Sequence, residues 1–531
     1  MADIAILNVS KKYKQAIGKL TCLNNEVDVN CPYDLQNSSD EQVMGSGFFI
    51  KSINIYNDKT MAKTKAKNRY LITNAHVVEG VSHRRIQISF PHLGDTQLWG
   101  QLILACRPLD FAIVEVTAEN NTHLEREIGQ SFAEVFKTIP FVKICSKPVN
   151  TSTELAKNII AMGYPLDSHD CHISTGKISG KHECYLQVNA SINSGNSGGA
   201  LFNEEGVCIG INAASFEGSE GVTLAVEFSH VSAMLKHYWR QTPDHFVIYP
   251  PSLGVVTKKL IDSYANTKLR DTTVKGSLVT HTFPNSPLSK VKVGDVIMAI
   301  GDHKHEFDID RSGNVTIPYQ HDKVKFFSLN VLLLLDPSTC FVRVYSNNRR
   351  RTHSFKMTAL DNIVKQVMPA LETVDCTVFG GLVLTNLTKN HMDSLEDGDI
   401  DPHIINFFTA THGSSPAVVI SSFHIPCSVL QQGYNVKKLT IVKKFNGVEI
   451  KTVEKFRSLA KEAVLSYNDK KNNKTRYVEM ELQHQTVIID LELMFQTEPL
   501  LAMCPNYPQK LSILSVLDEE QPLRKKRKRN L

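Results

Sequence analysis

Between about residues 15 and 240 the chain is cut into short apolar runs by turn residues, and this punctuation restricts its fold more than any other feature. The runs include "GSGFFI", "RYLITNAHVV", "RRIQISF", "LWGQLILAC", "DFAIVEV", "IIAMGYP", "ECYLQVNASI", "VCIGINAAS" and "GVTLAVEF". Strands this short, with turn signals between them, predict an all-β sandwich or barrel. One segment departs from the pattern. In "SHVSAMLKHYWRQT", Val231, Met234, Leu235 and Tyr238 fall on one helical face. "PDHFVIYPPS" then breaks the helix and supplies a linker.

Two smaller units follow. Residues 252–360 hold "SLGVV", "GSLVTHTF", "VKVGDVIMAIGD" and the hairpin "CFVRVYSNNRRRTHSFKM". Residues 375–496 repeat the outline with "FGGLVLTNL", "PAVVISSF", "LTIVKKFNGVEI", the helical "TVEKFRSLAKEAV" and "TRYVEMELQ". Each places an apolar strand with a glycine turn near its start and a second strand-turn later, as two copies of one small α/β module do.

Composition removes several classes. The longest apolar run, Phe326 to Leu335, is interrupted by polar residues and is far shorter than the roughly 20 residues a bilayer requires. The N-terminus has no basic start followed by an apolar segment, so no secretory signal is expected. The eleven cysteines are scattered and never form C-x-x-C, which argues against a disulfide framework or zinc site and for a reducing compartment. "RKKRKR", Arg524 to Arg529, carries six of the 59 basic residues, against 54 acidic ones, so the rest of the chain is near neutral. Nucleic acid is therefore not an expected partner beyond this tail. Residues 518–531 read as a basic tail with a nuclear localisation signal, the alternative being a solvated terminus.

The chemistry centres on "INSGNSGGALFNEEGVCIGINAAS", Ile192 to Ser215. Its glycine cluster alone is compatible with a simple hairpin turn. Ser197 becomes a nucleophile only where a base takes its proton. His76 ends the strand "YLITNA", a rigid platform on which an imidazole can hold one orientation. Asp110 enters the apolar strand "DFAIVEV" and needs a partner there, because an unpaired buried carboxylate is costly. A histidine Nδ1–H would serve, fixing the tautomer and stabilising the imidazolium. Gly195 can take backbone angles closed to other residues, and the amides of Gly195 and Ser197 can face a developing oxyanion. The order His, Asp, Ser within one β-rich domain is also that of chymotrypsin-like double barrels.

The motifs "GSGFFI", "LITNAHVV", "DFAIVEV", "AMGYPLD", "STGKISG", "NASINSGNSGGALFNEEGVCIGIN" and "GVTLAVEF" resemble, in order over about 200 residues, those of HtrA/Deg serine endopeptidases. The resemblance implies a mostly β chain: a chymotrypsin-like double β-barrel protease domain over 1–245, then two small α/β PDZ-like domains over 252–360 and 375–496. It implies His76 as general base, Asp110 as its orienter and Ser197 as nucleophile. The oxyanion hole would lie at Gly195, Asn196 and Ser197. Ile192, Asn212, Ala213 and Ala214 would border an apolar specificity pocket closed by the loop to Gly221. Leu253, Gly254 and Val255 in "SLGV" match a carboxylate-binding turn, and "FGGLVL" could form a degraded counterpart in the second module. "AVEF" stands where the family commonly has "AIP", and the lysine-rich stretch 57–69 is an insertion.

The implied activity is ATP-independent cleavage of unfolded or specific proteins through an acyl-enzyme, without a cofactor or metal. Peptide C-termini would bind the PDZ-like modules, and the chain would form a homo-oligomer away from membranes. The absent signal and basic tail most resemble a nuclear or nucleolar Deg branch, so an intracellular, nuclear or cytoplasmic site is expected. The alternative is a chaperone-like peptide-binding scaffold with a latent protease site.

Overall fold

Closure of two antiparallel sheets explains the strand-rich first half of the chain. A computed structural model describes residues 2–25, 28–33, 40–51, 69–165, 168–215, 223–238, 246–283, 285–320, 322–359, 364–372, 374–396, 404, 416–468, 476–504 and 506–515. The first barrel comprises β1 (Ile17–Asn25), β2 (Asp40–Ile50), β3 (Arg69–Thr73), β4 (Val81–Ser89), β5 (Gln97–Cys106) and β6 (Phe111–Val116), in spatial order β1-β2-β3-β6-β5-β4. The second comprises β7 (Asn158–Gly163), β8 (His172–His182), β9 (Tyr185–Val188), β10 (Ala200–Asn203), β11 (Cys208–Ser215) and β12 (Thr223–Glu227), in order β10-β11-β12-β9-β8-β7. These are the barrels of a chymotrypsin-like fold.

Alternation along the strands builds the junction between them. Tyr70 and Ile72 of β3 join one apolar cluster with Phe48, Leu104 and Ile113, while Leu71 between them is buried on the opposite face. Ile160, Met162, Phe202, Ile211 and Val226 of the second barrel belong to the same cluster. Each such side chain contributes about 1.5–3 kcal/mol on burial. The seam between the barrels is therefore a packed core, and loops crossing it have a rigid base.

Helices cover the seam. Phe228–His237 buries Phe228, Val231, Met234 and Leu235, the face read from sequence, and residues 239–242 of the expected segment lie outside the described residues. An N-terminal helix, Ala2–Tyr13, was not legible in the pattern; its Tyr13 stacks on Phe202 with ring centroids 4.8 Å apart. Residues 246–248 run beside β5, where the Ala105 amide donates to the Phe246 carbonyl at 2.7 Å. The barrel domain thus continues past residue 245.

Two compact units divide the chain: residues 1–24 with 40–360, and residues 25–39 with 361–531. The first unit also holds a sheet in which β13 (Val255–Lys259), β14 (Ser277–Thr282), β15 (Val296–Gly301), β19 (Cys340–Ser346) and β20 (Arg349–Phe355) are ordered consecutively. In this module β16 (Glu306–Asp308) pairs with β15, and β17 (Asn314–Val315) pairs with β18 (Val324–Lys325). Leu253, Val279, Ile297, Ile300, Val342 and Val344 form its core.

The second unit is a sheet of β21 (Cys376–Phe379), β22 (Leu382–Asn386), β23 (Val418–Phe423), β24 (Thr440–Phe445), β26 (Tyr477–Leu482) and β27 (Thr486–Asp490), with β25 (Val448–Glu449) paired to β24. The helix Val453–Asn468 packs Phe456, Ala460 and Val464 into its core. Residues 28–33 belong to this unit rather than to the contiguous 1–245 domain expected from sequence. There, the Asn30 carbonyl accepts from Ser421 Oγ at 2.8 Å, and Tyr33 Oη lies 2.5 Å from His424 Nε2. The unit also extends beyond residue 496, because Ile513 and Leu514 are buried in its core.

Candidate active site

Strand pairing assembles the first two members of the site. β3 lies against β6 with Thr73 opposite Ala112, so the residues just past β3 meet those just before β6. His76 sits in the short helical turn Ala75–Val78 that follows β3. Asp110 follows the turn Arg107–Leu109 with φ 49° and ψ 51°, a left-handed conformation that aspartate and asparagine enter more readily than most residues. Its backbone carbonyl accepts from Asn74 Nδ2 at 2.7 Å. Its buried carboxylate accepts from the His76 backbone amide at 3.0 Å, and Oδ2 lies 2.8 Å from His76 Nδ1. A carboxylate only accepts, so Nδ1 carries the proton and Nε2 presents its lone pair.

Ser197 is held by the second barrel. Two overlapping turns precede β10: the Asn196 amide donates to Asn193 O and the Gly199 amide to Asn196 O, both at 3.0 Å. Gly198 has φ 87°, and a Cβ there would lie 2.1 Å from the Ser46 carbonyl oxygen and 2.2 Å from Thr73 Oγ1. A Cβ on Gly199 would lie 2.1 Å from the Met162 carbonyl oxygen. The glycine pair therefore permits the close backbone approach that seats Ser197 at the seam.

The resting hydroxyl of Ser197 donates to the Ala213 carbonyl at 2.5 Å and makes no hydrogen bond to His76. The register of β11 with β12 breaks between Asn212 and Ser215, which leaves that carbonyl outside the ladder. The amides of Gly195, with φ 92°, and Ser197 have no hydrogen-bond acceptor among the described residues. Unbonded amides on the serine and on the residue two before it are the kind of donors an oxyanion requires. The Asn196 amide closes the Asn193–Asn196 turn instead, so that expected donor is removed from the hole.

The expected pocket residues divide differently. Ile192 is buried in the second barrel core with Val188 and Ala190. Asn212 is fully buried and braces the nucleophile loop: its amide donates to Gly199 O, its carbonyl accepts from the Gly198 amide, both at 2.8 Å, and its Nδ2 donates to Met162 O at 3.1 Å. Both side chains are buried among the described residues. Ala213 contributes its carbonyl, Ala214 lies in β11, and residues 216–222 are outside the described residues.

The two glycine turns of the later modules also differ. Leu253 is buried and Gly254 has φ 62°; the Gly254 amide donates to Ser252 Oγ at 3.3 Å. Val255 begins β13, which among the described residues is an edge strand bonded only to β14. In "FGGLVL", Gly380 (φ 59°) and Gly381 (φ 91°) form the two-residue turn of the β21–β22 hairpin. The Gly380 carbonyl accepts from the Ser428 amide at 3.0 Å and the Gly381 carbonyl from the His424 amide at 2.7 Å. β22 is paired on both sides, so this turn is not the open carboxylate-binding turn its sequence suggested. The outer edge of β21 is itself occupied: Val378 bridges Ser512, and Thr377 Oγ1 donates to Leu511 O at 3.0 Å.

Four buried barrel cysteines are poor competitors of Ser197 as nucleophile. Burial pushes the thiols of Cys22, Cys106, Cys171 and Cys208 up to about 12, which keeps them protonated. Among the described residues no group of three or more His, Cys, Asp or Glu is placed to hold a metal ion. Sequence reasoning missed Glu227 of "AVEF", which is fully buried, takes the Val149 amide at 2.6 Å and pairs with buried Lys181. It also missed Ser46, whose neighbours are distant in sequence.

Residues 45–211 match the trypsin-like peptidase domain family. Over 238 residues the chain is 26% identical to the periplasmic serine endoprotease DegP of Escherichia coli (strain K12), covering 44% of this chain and 46% of that protein. Over 303 residues it is 26% identical to Protease Do-like 2, chloroplastic, of Arabidopsis thaliana, covering 55% of this chain and 43% of that one. The chain thus spans less than half the length of these relatives. A crystal structure of the serine endoprotease from Yersinia pestis aligns with a TM-score of 0.42 at 19% identity, covering 67% of this chain and 98% of that one.

Proposed function

We propose that this chain, which carries a trypsin-like serine protease domain of the HtrA/Deg family, cleaves unfolded or exposed protein segments through an acyl-enzyme. The observation that carries the reading is the His76 Nδ1–Asp110 pair at 2.8 Å beside Ser197, whose loop leaves the Gly195 and Ser197 amides free. For reaction, the Ser197 hydroxyl must leave the Ala213 carbonyl and turn to His76 Nε2. A substrate backbone N–H that takes the Ala213 carbonyl removes the competing acceptor and favours that turn. His76 then accepts the proton as Ser197 Oγ attacks the scissile carbonyl, and Asp110 stabilises the imidazolium. Gly195 and Ser197 donate to the oxyanion, and each such donor is worth about 10²–10³ in rate. His76 returns the proton to the leaving amine, and water repeats the cycle on the ester.

The free edge of β13 supports peptide binding by the first module, a PDZ-like one, through strand addition. The second module, with its edge occupied, is proposed to serve assembly of a homo-oligomer, which light scattering of the chain with and without residues 361–531 tests. The tail Arg524 to Arg529, outside the described residues, is proposed to direct the chain to the nucleus. A fluorescent fusion whose distribution is unaltered by its deletion would exclude that role.

Cleavage of unfolded casein by the purified chain and by Ser197→Ala tests the central reading. Loss of cleavage in the variant alone is expected. Equal cleavage by both assigns the activity to another group, and absence of cleavage by both favours a peptide-binding scaffold.

A further inference from the structure

We propose that Ser46 is the positioning residue of the oxyanion hole, registering both of its donors from a single point on β2. This rests on the protease reading above. Ser46 is fully buried where the first barrel meets the nucleophile loop of the second. Its amide donates to the Ser197 carbonyl at 2.8 Å, and its hydroxyl donates to the Gly195 carbonyl at 2.7 Å. The hydroxyl also accepts from the Tyr164 amide at 2.9 Å, and the Ser46 carbonyl accepts from Thr73 Oγ1 at 2.8 Å. Every polar atom of the residue is thereby engaged, two of them with the residues that supply the hole.

The consequence is geometric. The two proposed oxyanion donors are the amides of Gly195 and Ser197, and Ser46 grips the carbonyl of each of those same residues. One rigid strand residue therefore sets their spacing. Gly195 needs this restraint more than Ser197 does. It lies at φ 92°, the third position of the Asn193–Asn196 turn, where a glycine can exchange conformations at little steric cost. Packing does not confine the turn on every side, because a cavity of about 140 Å³ lies against Asn193 and Asn196, walled by Ala161, His172 and Ser191. Without the Ser46 hydroxyl, Ser197 stays tied through the Ser46 amide while the Gly195 carbonyl loses its tie to β2. The Gly195 and Tyr164 groups are also left buried without this partner.

The test compares Ser46→Ala with Asn121→Ala in the full chain. Asn121 is a buried polar residue of the first barrel, bonded to the backbone of Trp99 at 2.8 and 3.0 Å. It controls for general destabilisation. Ser46→Ala should lower kcat on a cleavable peptide by about ten- to a hundredfold, a tenth to the whole of one donor's effect, with KM within about threefold. Labelling of Ser197 by a fluorophosphonate, which needs the same hole, should slow in parallel. Backbone hydrogen exchange should rise over residues 192–198 in Ser46→Ala and not in Asn121→Ala. Unchanged kcat, or a loss matched by Asn121→Ala, overturns the proposal. If the wild-type chain neither cleaves nor labels, the protease reading fails on its own. The exchange comparison then still decides whether Ser46 holds the loop, and equal exchange over 192–198 sinks it.

Discussion

Replacing Asp110 with asparagine separates the orientation of His76 from the folding of its turn. Asp110 stands at φ 49° and ψ 51°, where asparagine is tolerated nearly as well as aspartate. Its backbone amide donates to Arg107 O at 3.1 Å and its carbonyl accepts from Asn74 Nδ2 at 2.7 Å, and neither bond depends on the carboxylate. The turn should survive. In the native site, one carboxylate serves both the His76 backbone amide at 3.0 Å and Nδ1 at 2.8 Å. An amide has only one oxygen. If that oxygen keeps the backbone N–H, the NH₂ group faces Nδ1, which must then accept, and the ring proton moves to Nε2. That is the atom that has to receive the Ser197 proton. The expected loss in kcat is about 10⁴-fold, or roughly 5.5 kcal/mol in the barrier. Asp110→Ala should also be inactive, with a further cost of about 1–2 kcal/mol for a left-handed alanine. Peptide hydrolysis at pH 7.5 and thermal unfolding of the three proteins provide the comparison. More than a tenth of wild-type activity in Asp110→Asn, or destabilisation equal to that of Asp110→Ala, would refute the argument.

Acid should weaken both units through buried histidines. Burial lowers His230 and His391 to about 4 from the ordinary 6.5, so each is neutral in the folded chain near pH 7. Between those values the unfolded chain binds protons that the folded chain refuses. Stability therefore falls with pH, by about 2 kcal/mol per histidine from pH 7.5 to 5. Unfolding of His391→Asn at both pH values should show a flatter dependence in the second unit than the wild type, and an unchanged slope would rule out this source. In the same unit, Ile513→Asp places a carboxylate at a position that is 1% exposed, in the core that also holds Phe456 and Ala460. A cost above about 3 kcal/mol is expected, read as faster hydrogen exchange in the helix Val453–Asn468. Unaltered exchange would mean that residues 509–515 do not secure that core.

What could be read from sequence follows from the range over which each residue acts. The strand punctuation, the helix at Phe228 and the identities of His76, Asp110 and Ser197 are local signals, each carried by a short run of neighbours. The tie of Ser46 to Gly195, 149 positions away, carries no such signal, and its "GSG" context reads equally well as an ordinary strand start. The same limit applies to Glu227. Its departure from the usual "AIP" was visible, but its compensation by Lys181 needs β8 beside β9 and β12 beyond it. The family resemblance implied that Asn212 and Ile192 lie near a pocket bordered by the loop from Ala213 to Gly221, of which residues 216–221 are outside the described residues. What the described residues show is a long-range role for each: Asn212 braces the nucleophile loop and Ile192 packs in the second barrel core.

The two glycine turns show why a motif alone does not define a binding groove. "SLGV" and "FGGL" both place glycine before an apolar strand, and glycine supplies a positive φ in each: 62° at Gly254 and 59° and 91° at Gly380 and Gly381. The difference lies upstream. β21, Cys376–Phe379, is close enough to fold back through the glycine pair and cover β22, whereas β13 has no such preceding partner among the described residues. An edge strand can accept a peptide because its outward backbone groups lack partners. β13 meets that condition among the described residues. The strand after "FGGL" does not, and the segment through Ser512 also occupies the outer side of β21. Both modules place successive strands side by side, β13-β14-β15 and β21-β22-β23-β24, while peptide capture depends on which strand is left at the edge.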